Sequence, residues 1–180
     1  MTSEIMKISE LKAYHGSSND HQSFDTKHTG NNSHTFGYYQ SERHGVFFTL
    51  NPEFAALYGD VIEYELNITN TYNMDEATEI LSQFYEYLDD KDSELFTDVR
   101  DMLYSNAKSW SFFEDEVGEE FVKYLKSLGF DSATFVEYNE DDSGDEIKSQ
   151  TIVVFNPSKI IKHDQLELNL YEKMARLHAN

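Results

Sequence analysis

The chain has 180 residues, a formal net charge of −20 and no cysteine. Such a surface repels phosphate backbones, which argues against direct nucleic-acid binding, and it favours basic partners, including proteins that themselves handle nucleic acid. Without cysteine, disulfides and thiolate metal sites are excluded, which fits a reducing cytosol.

An aromatic content of 14% and a hydrophobic share of 39% suffice for a single folded domain over residues 1–180. Residues 1–11 are too polar for a secretory leader, and no apolar run approaches the length of a membrane span, so the expectation is a cytoplasmic protein with no membrane partner.

Residues 13–17 (Ala13-Tyr14-His15-Gly16-Ser17) predict a short strand running into a turn. Residues 18–43 are rich in Asn, Ser, His and Gly, and predict a long surface loop pinned by Phe24 and by the cluster Phe36-Gly37-Tyr38-Tyr39. Five of the seven histidines fall between His15 and His44. The spacing of His21, His28, His34 and His44 matches no metal-ligand pattern on one helix or hairpin, so no metal is assigned.

The stretch from His44 to Gly59 is the most informative. Val46-Phe47-Phe48-Thr49 is a buried strand, and Asn51-Pro52 starts a helix with Asn as N-cap and Pro at its first position. Phe54, Ala55 and Tyr58 share one helical face, and Gly59 stops the helix. Such a strand–turn–helix corner can face Phe47 and Tyr58 across a slot suited to a flat heteroaromatic ring, held by offset stacking.

Further along, residues 61–68 alternate as a strand with one wet face. Three helices follow: one capped by Asp75 and running to Leu88, one over 93–107, and one over 115–128 ended by Gly129. Trp110, Phe112 and Phe113 fill the gap between the last two. Residues 132–138 form a strand, and an acidic loop over 139–146 turns the chain back. Its Asn139, Asp141, Ser143 and Gly144 echo a calcium loop, but Gln150 stands where a bidentate Glu is required, so it is a hairpin. The apolar run Thr151-Ile152-Val153-Val154-Phe155 predicts a strand central in its sheet, and residues 170–178 a terminal helix.

Three separated pieces, Tyr14-His15-Gly16-Ser17, Gly45-Val46-Phe47-Phe48-Thr49 with Ala55-Ala56-Leu57-Tyr58, and residues 151–157, together resemble the ADP-ribosyltransferase fold of the diphtheria-toxin and poly(ADP-ribose) polymerase branch. They look closest to the small forms in phage and mobile-element polyvalent proteins. Phe130-Asp131 after Gly129 is also similar to the family's Gly-Tyr-Asp-Gly element. The resemblance implies an α+β fold of two packed, mainly antiparallel sheets, with residues 75–128 as a helical insert.

It also implies NAD+ as substrate and a His-Tyr-Glu site. In that site His15 holds a ribose hydroxyl, oriented by Ser17 or a backbone group. The backbone of Gly16 meets the carboxamide, Phe47 and Tyr58 stack on nicotinamide, and Thr49 and Ala55 line the same cofactor site. Ala55 stands where the polymerases carry a carboxamide-binding Ser. Thr151 stands where the family has its Glu, with Gln150 beside it on the opposite strand face, and Glu137 or an acid of the 140–146 loop could substitute.

The leading expectation is a mono-ADP-ribosyltransferase acting on a basic protein target, as an effector or toxin of a phage or mobile element. The alternative is an inactive protein on the same fold that binds or inhibits a basic nucleic-acid-handling protein through its acidic surface. A third possibility, a toxin that cleaves NAD+ without an acceptor, would release free ADP-ribose.

Overall fold

A computed structural model describes residues 11–17, 24, 27–31, 40–91, 93–140 and 143–162. In chain order the strands are β1 (Leu11–Ser17), β2 (Lys27–Asn31), β3 (Gln40–His44), β4 (Val46–Thr49), β5 (Asp60–Leu66), β6 (Thr71–Asn73), β7 (Ser132–Glu140), β8 (Glu146–Val154) and β9 (Ile160–Lys162). The α-helices are α1 (Pro52–Ala56), α2 (Glu79–Asp90), α3 (Leu95–Tyr104) and α4 (Asp115–Ser127), with a 3-10 turn at Ser109–Phe113. None of the described helices is long and apolar enough to cross a membrane.

Seven strands form one mixed sheet in the order β6-β7-β8-β4-β1-β5-β9, and β2 and β3 pair as a separate ribbon. Among the described strands, only β6 and β7 run parallel. The α+β character and the mainly antiparallel pairing match expectation; the division into two packed sheets does not appear in that form. Instead, β4 and β1 meet at a single pair, Tyr14↔Thr49, which joins the block β6-β7-β8-β4 to the block β1-β5-β9. By contrast β1 and β5 stay paired from Leu11↔Leu66 to Ser17↔Asp60.

Strand alternation sends neighbouring residues to opposite faces. Phe48 joins Ala13, Ile62, Tyr64, Ile152 and Val154 on one face. Phe47 packs on the other, where Phe135, Val153 and Phe155 meet Phe84 and Leu88 of α2, Val99 of α3 and Phe121 and Leu125 of α4. The apolar run at the end of β8 is central, as expected, lying between β7 and β4.

The acidic start of α4 also docks the ribbon. Glu114 accepts from the Ser41 hydroxyl, and its carboxylate lies 3.6 Å from the Arg43 guanidinium. The Asp115 carboxylate accepts from the Glu42 backbone N–H at 2.9 Å. The stretch 18–43 is therefore not loop throughout: it contains β2 and most of β3. Helix α2 starts at Glu79 with Thr78 at its cap position, three residues later than expected, because Asp75 is engaged elsewhere: its carboxylate accepts from the Val136 N–H of β7 at 2.8 Å. His21, His34, the Phe36–Tyr39 cluster, Asp141 and the helix over 170–178 lie outside the described residues.

Candidate active site

The strand–turn–helix corner forms as the sequence predicts. The Asn51 side chain accepts from the Glu53 N–H at 2.9 Å and Pro52 opens α1, which fixes the direction in which α1 leaves β4. The helix then lies directly over Gly16 of β1. A β-carbon at Gly16 would collide with the Ala55 carbonyl and sit 3.2 Å from Cβ of Tyr58, so only glycine lets α1 approach this strand. Ala55 is buried in that contact, whereas Tyr58 just beyond the helix is 46% exposed.

Beyond Tyr14↔Thr49, β1 and β4 separate, and His15 bridges the gap: its Nδ1 lies 2.8 Å from the Phe47 carbonyl oxygen. Since a carbonyl can only accept, Nδ1 carries a proton, and whenever the ring is neutral Nε2 is its acceptor nitrogen. The His15 ring is set edge-on to Phe24 at 5.3 Å and tilted against Phe48 at 5.7 Å. Its orientation thus comes from a backbone carbonyl and two aromatic rings. Ser17, the other orienting candidate, pairs with Asp60 at the end of β1. Phe24, one of the two points at which the 18–43 stretch was expected to be held, packs on His15, Phe48 and Tyr64.

On the opposite face, Phe47, Thr49 and Thr151 line up through the pairs Phe47↔Val153 and Thr49↔Thr151. The Thr49 and Ser149 hydroxyls are hydrogen-bonded, and both residues are buried. Gln150 pairs with Val136, faces the other way from Thr151 and is exposed, so it does not join this group.

Glu137, one of the acids that the sequence offers in place of the family's Glu, and Arg43, which it does not single out, also bear on this face. Glu137 of β7 accepts a hydrogen bond from the buried Thr151 hydroxyl. Burial pushes the Glu137 carboxyl above the usual carboxylate range, although the Thr151 hydrogen bond and the charges of Arg43 and Lys108 pull against it. Tyr58 is raised for related reasons: desolvation first, then the negative charge of Glu137, opposed by Arg43 and by a hydrogen bond with the Asn139 side chain. Arg43 lies with its guanidinium carbon 5.1 Å from the centre of the Phe47 ring. On its other side Phe47 meets Phe113 edge-on at 6.0 Å.

His15, Gly16, Phe47, Ala55 and Tyr58 are therefore gathered around the parted strands, and Tyr58 links them electrostatically to Glu137 and Arg43. Thr151 joins through Glu137. Arg43 could not be singled out from sequence, because its ring partner and its carboxylate partner come from different elements. The arrangement offers an oriented imidazole on the Phe48 side of the sheet and, on the Phe47 side, a carboxylate whose charge bears on the half-exposed Tyr58 ring. That donor set suits a flat cationic ring attached to a sugar.

A family model described as ADP-ribosyltransferase in polyvalent proteins matches residues 9–165. Among solved structures, one described as the crystal structure of an anti-CRISPR protein is 15% identical and aligns with a TM-score of 0.47, covering 87% of this chain and 98% of its own. No curated protein matches the chain.

Proposed function

The chain belongs to the ADP-ribosyltransferases of polyvalent proteins, and from that premise we propose that it transfers a single ADP-ribose unit from NAD+ to a protein target. The observation that carries the reading is the gap between β1 and β4, with His15 fixed on the Phe47 carbonyl and Gly16 seated under the helix that leads to Tyr58.

In this reading the ring of Tyr58, and Phe47 once Arg43 yields its face, stack on nicotinamide. Backbone groups of Gly16 take the carboxamide, and His15 Nε2 accepts from a ribose hydroxyl. Cleavage of the bond between the anomeric carbon and the nicotinamide nitrogen sends its electron pair to the ring, which leaves neutral. The sugar passes through an oxocarbenium-like state. A nucleophile of the target then gives its pair to the anomeric carbon and loses its proton. Orientation by His15 and Tyr58 supplies the proximity this step needs. The net charge of −20 would draw in a basic target and does not suit nucleic acid.

The test is incubation of the purified protein with labelled NAD+ and a bacterial lysate, beside Tyr58→Ala and His15→Ala. Label passing to a protein with the wild type, and with neither variant, supports the reading. Free ADP-ribose without labelled protein would indicate hydrolysis, and no NAD+ binding at all would sink the reading. One observation favours the second reading, an inactive binder: Thr151 occupies the position where the resemblance expects Glu. Under it, His15→Ala would leave binding of a basic protein intact.

A further inference from the structure

We propose that Glu137, reaching over from the neighbouring strand, is the carboxylate that faces the anomeric carbon, with the Thr151 hydroxyl as its positioning donor. The proposal rests on the transfer reading above and assigns that site a residue at a position of its own.

The sheet register makes the exchange possible. Thr151 pairs with Phe135, and Glu137 pairs with Ser149, so Glu137 and Thr151 are diagonal neighbours on one face of the β7–β8 hairpin. Diagonal neighbours remain within reach of a long side chain. A glutamate at 151 would extend from β8 into the space in front of its own strand. Threonine is too short to do so, and the longer Glu137 side chain crosses from the adjacent strand to end on the Thr151 hydroxyl.

The register also puts the carboxylate on the Phe47 side of the sheet: Thr151 pairs with Thr49 of β4, and Phe47 lies two residues before Thr49 on the same face. In keeping with that placement, the charge of Arg43, which covers Phe47, bears on Glu137, and the charge of Glu137 bears on Tyr58 beside Gly16. The groups that bear on Glu137 are thus the Thr151 hydroxyl, the Arg43 and Lys108 cations and the Tyr58 phenol. A carboxylate so placed can stabilise positive charge as the nicotinamide bond breaks, and in a partly desolvated site its effect is larger than in water. The Thr151 hydroxyl acts through Glu137: it donates to the oxygen it orients and favours the ionised form.

Five proteins decide the matter: wild type, Glu137→Gln, Thr151→Val, Thr151→Glu, and the relocated pair Glu137→Gln with Thr151→Glu. Each is assayed for NAD+ affinity, nicotinamide release and melting temperature. Glu137→Gln is expected to lower kcat by about 100-fold or more, with NAD+ affinity and melting temperature nearly kept. The relocated pair is expected to recover at least a tenfold part of that loss. Thr151→Val is expected to lower kcat more modestly and to move the acid limb of the pH profile upward, a shift that a purely structural role would not produce.

Wild-type turnover that survives Glu137→Gln would overturn the proposal and leave the transfer reading standing. So would a loss that tracks weakened NAD+ binding or a lower melting temperature. A wild type that binds NAD+ without turnover, but gains turnover from Thr151→Glu alone, would show Glu137 idle and overturn it too. A wild type that does not bind NAD+ would overturn both the transfer reading and the proposal built on it.

Discussion

Two strand seams in the same sheet have opposite characters. Between β7 and β8 the pairing runs without interruption from Ser132↔Val154 to Glu140↔Glu146. Between β1 and β4 it is reduced to Tyr14↔Thr49. The closed seam spends its backbone groups on its own ladder and holds side chains in a fixed register. The open seam leaves ladder positions to other partners: the Phe47 carbonyl meets the His15 ring, and Gly16 lies beneath α1. Buried backbone groups that leave a ladder need another partner, so a seam can open only where side chains supply one. The proposed chemistry uses both: the open seam receives the ring and sugar, and the closed seam delivers Glu137 beside them.

The largest effect should come from cutting the link between the two seams. Phe113 is fully buried, stacks on Phe135 of β7 at 5.9 Å and meets Phe47 of β4 edge-on at 6.0 Å. Phe113→Ala should cost about 3–5 kcal/mol, enough to consume much of the stability of an ordinary domain. Equilibrium denaturation in urea would measure it, and a loss below about 1 kcal/mol would mean that neighbouring rings close the cavity.

Breaking the open seam itself comes next. Gly16→Ala forces a β-carbon against the Ala55 carbonyl, an overpacking expected to cost about 1–3 kcal/mol. Because the strain falls on the helix that leads to Tyr58, NAD+ affinity should drop more than the lost stability explains. An equivalent loss of affinity from Phe113→Ala would show that the open seam has no special role. A smaller effect is expected from Asn51→Ala, which removes the cap of α1 and should cost about 1 kcal/mol. It should lower the melting temperature slightly and weaken NAD+ binding, since α1 would then fray at its attachment to β4.

How far the sequence reveals these seams follows the range of the interactions. Asn51-Pro52 is a local signal, and α1 begins there. The Gly129 stop after α4 is local too, with a φ of +90° that suits glycine. The ribbon β2–β3 carries no apolar alternation, and β3 is tied to the distant residues Glu114 and Asp115, so it hid within a polar stretch. Asp75 looked like a helix cap until β7 drew its carboxylate to Val136. Of the candidate site, His15, Gly16, Phe47 and Tyr58 were legible as residue patterns. Glu137 was legible only as one of several acids that could stand in for the family's Glu; its place on the Thr151 hydroxyl depends on the β7–β8 register, which residue pattern does not give.

The smallest effect separates the closed seam's structural work from its proposed chemical role. The Glu137 carboxyl is raised above its ordinary value, chiefly by desolvation and against the pull of Thr151, Arg43 and Lys108. Folded protein therefore holds this proton more tightly than unfolded protein does. The resulting stabilisation is complete below the ordinary carboxylate value and is lost as pH rises through that value to the raised one. Glu137→Gln keeps the shape and never ionises. Its melting temperature should match the wild type in acid and exceed it slightly at neutral pH. A carboxylate whose main task was structural ion pairing would give the opposite sign, with the variant less stable at neutral pH. If the variant is the more stable protein while its nicotinamide release has collapsed, Glu137 is held ionised at a cost to the fold, and residues kept on those terms mark functional sites.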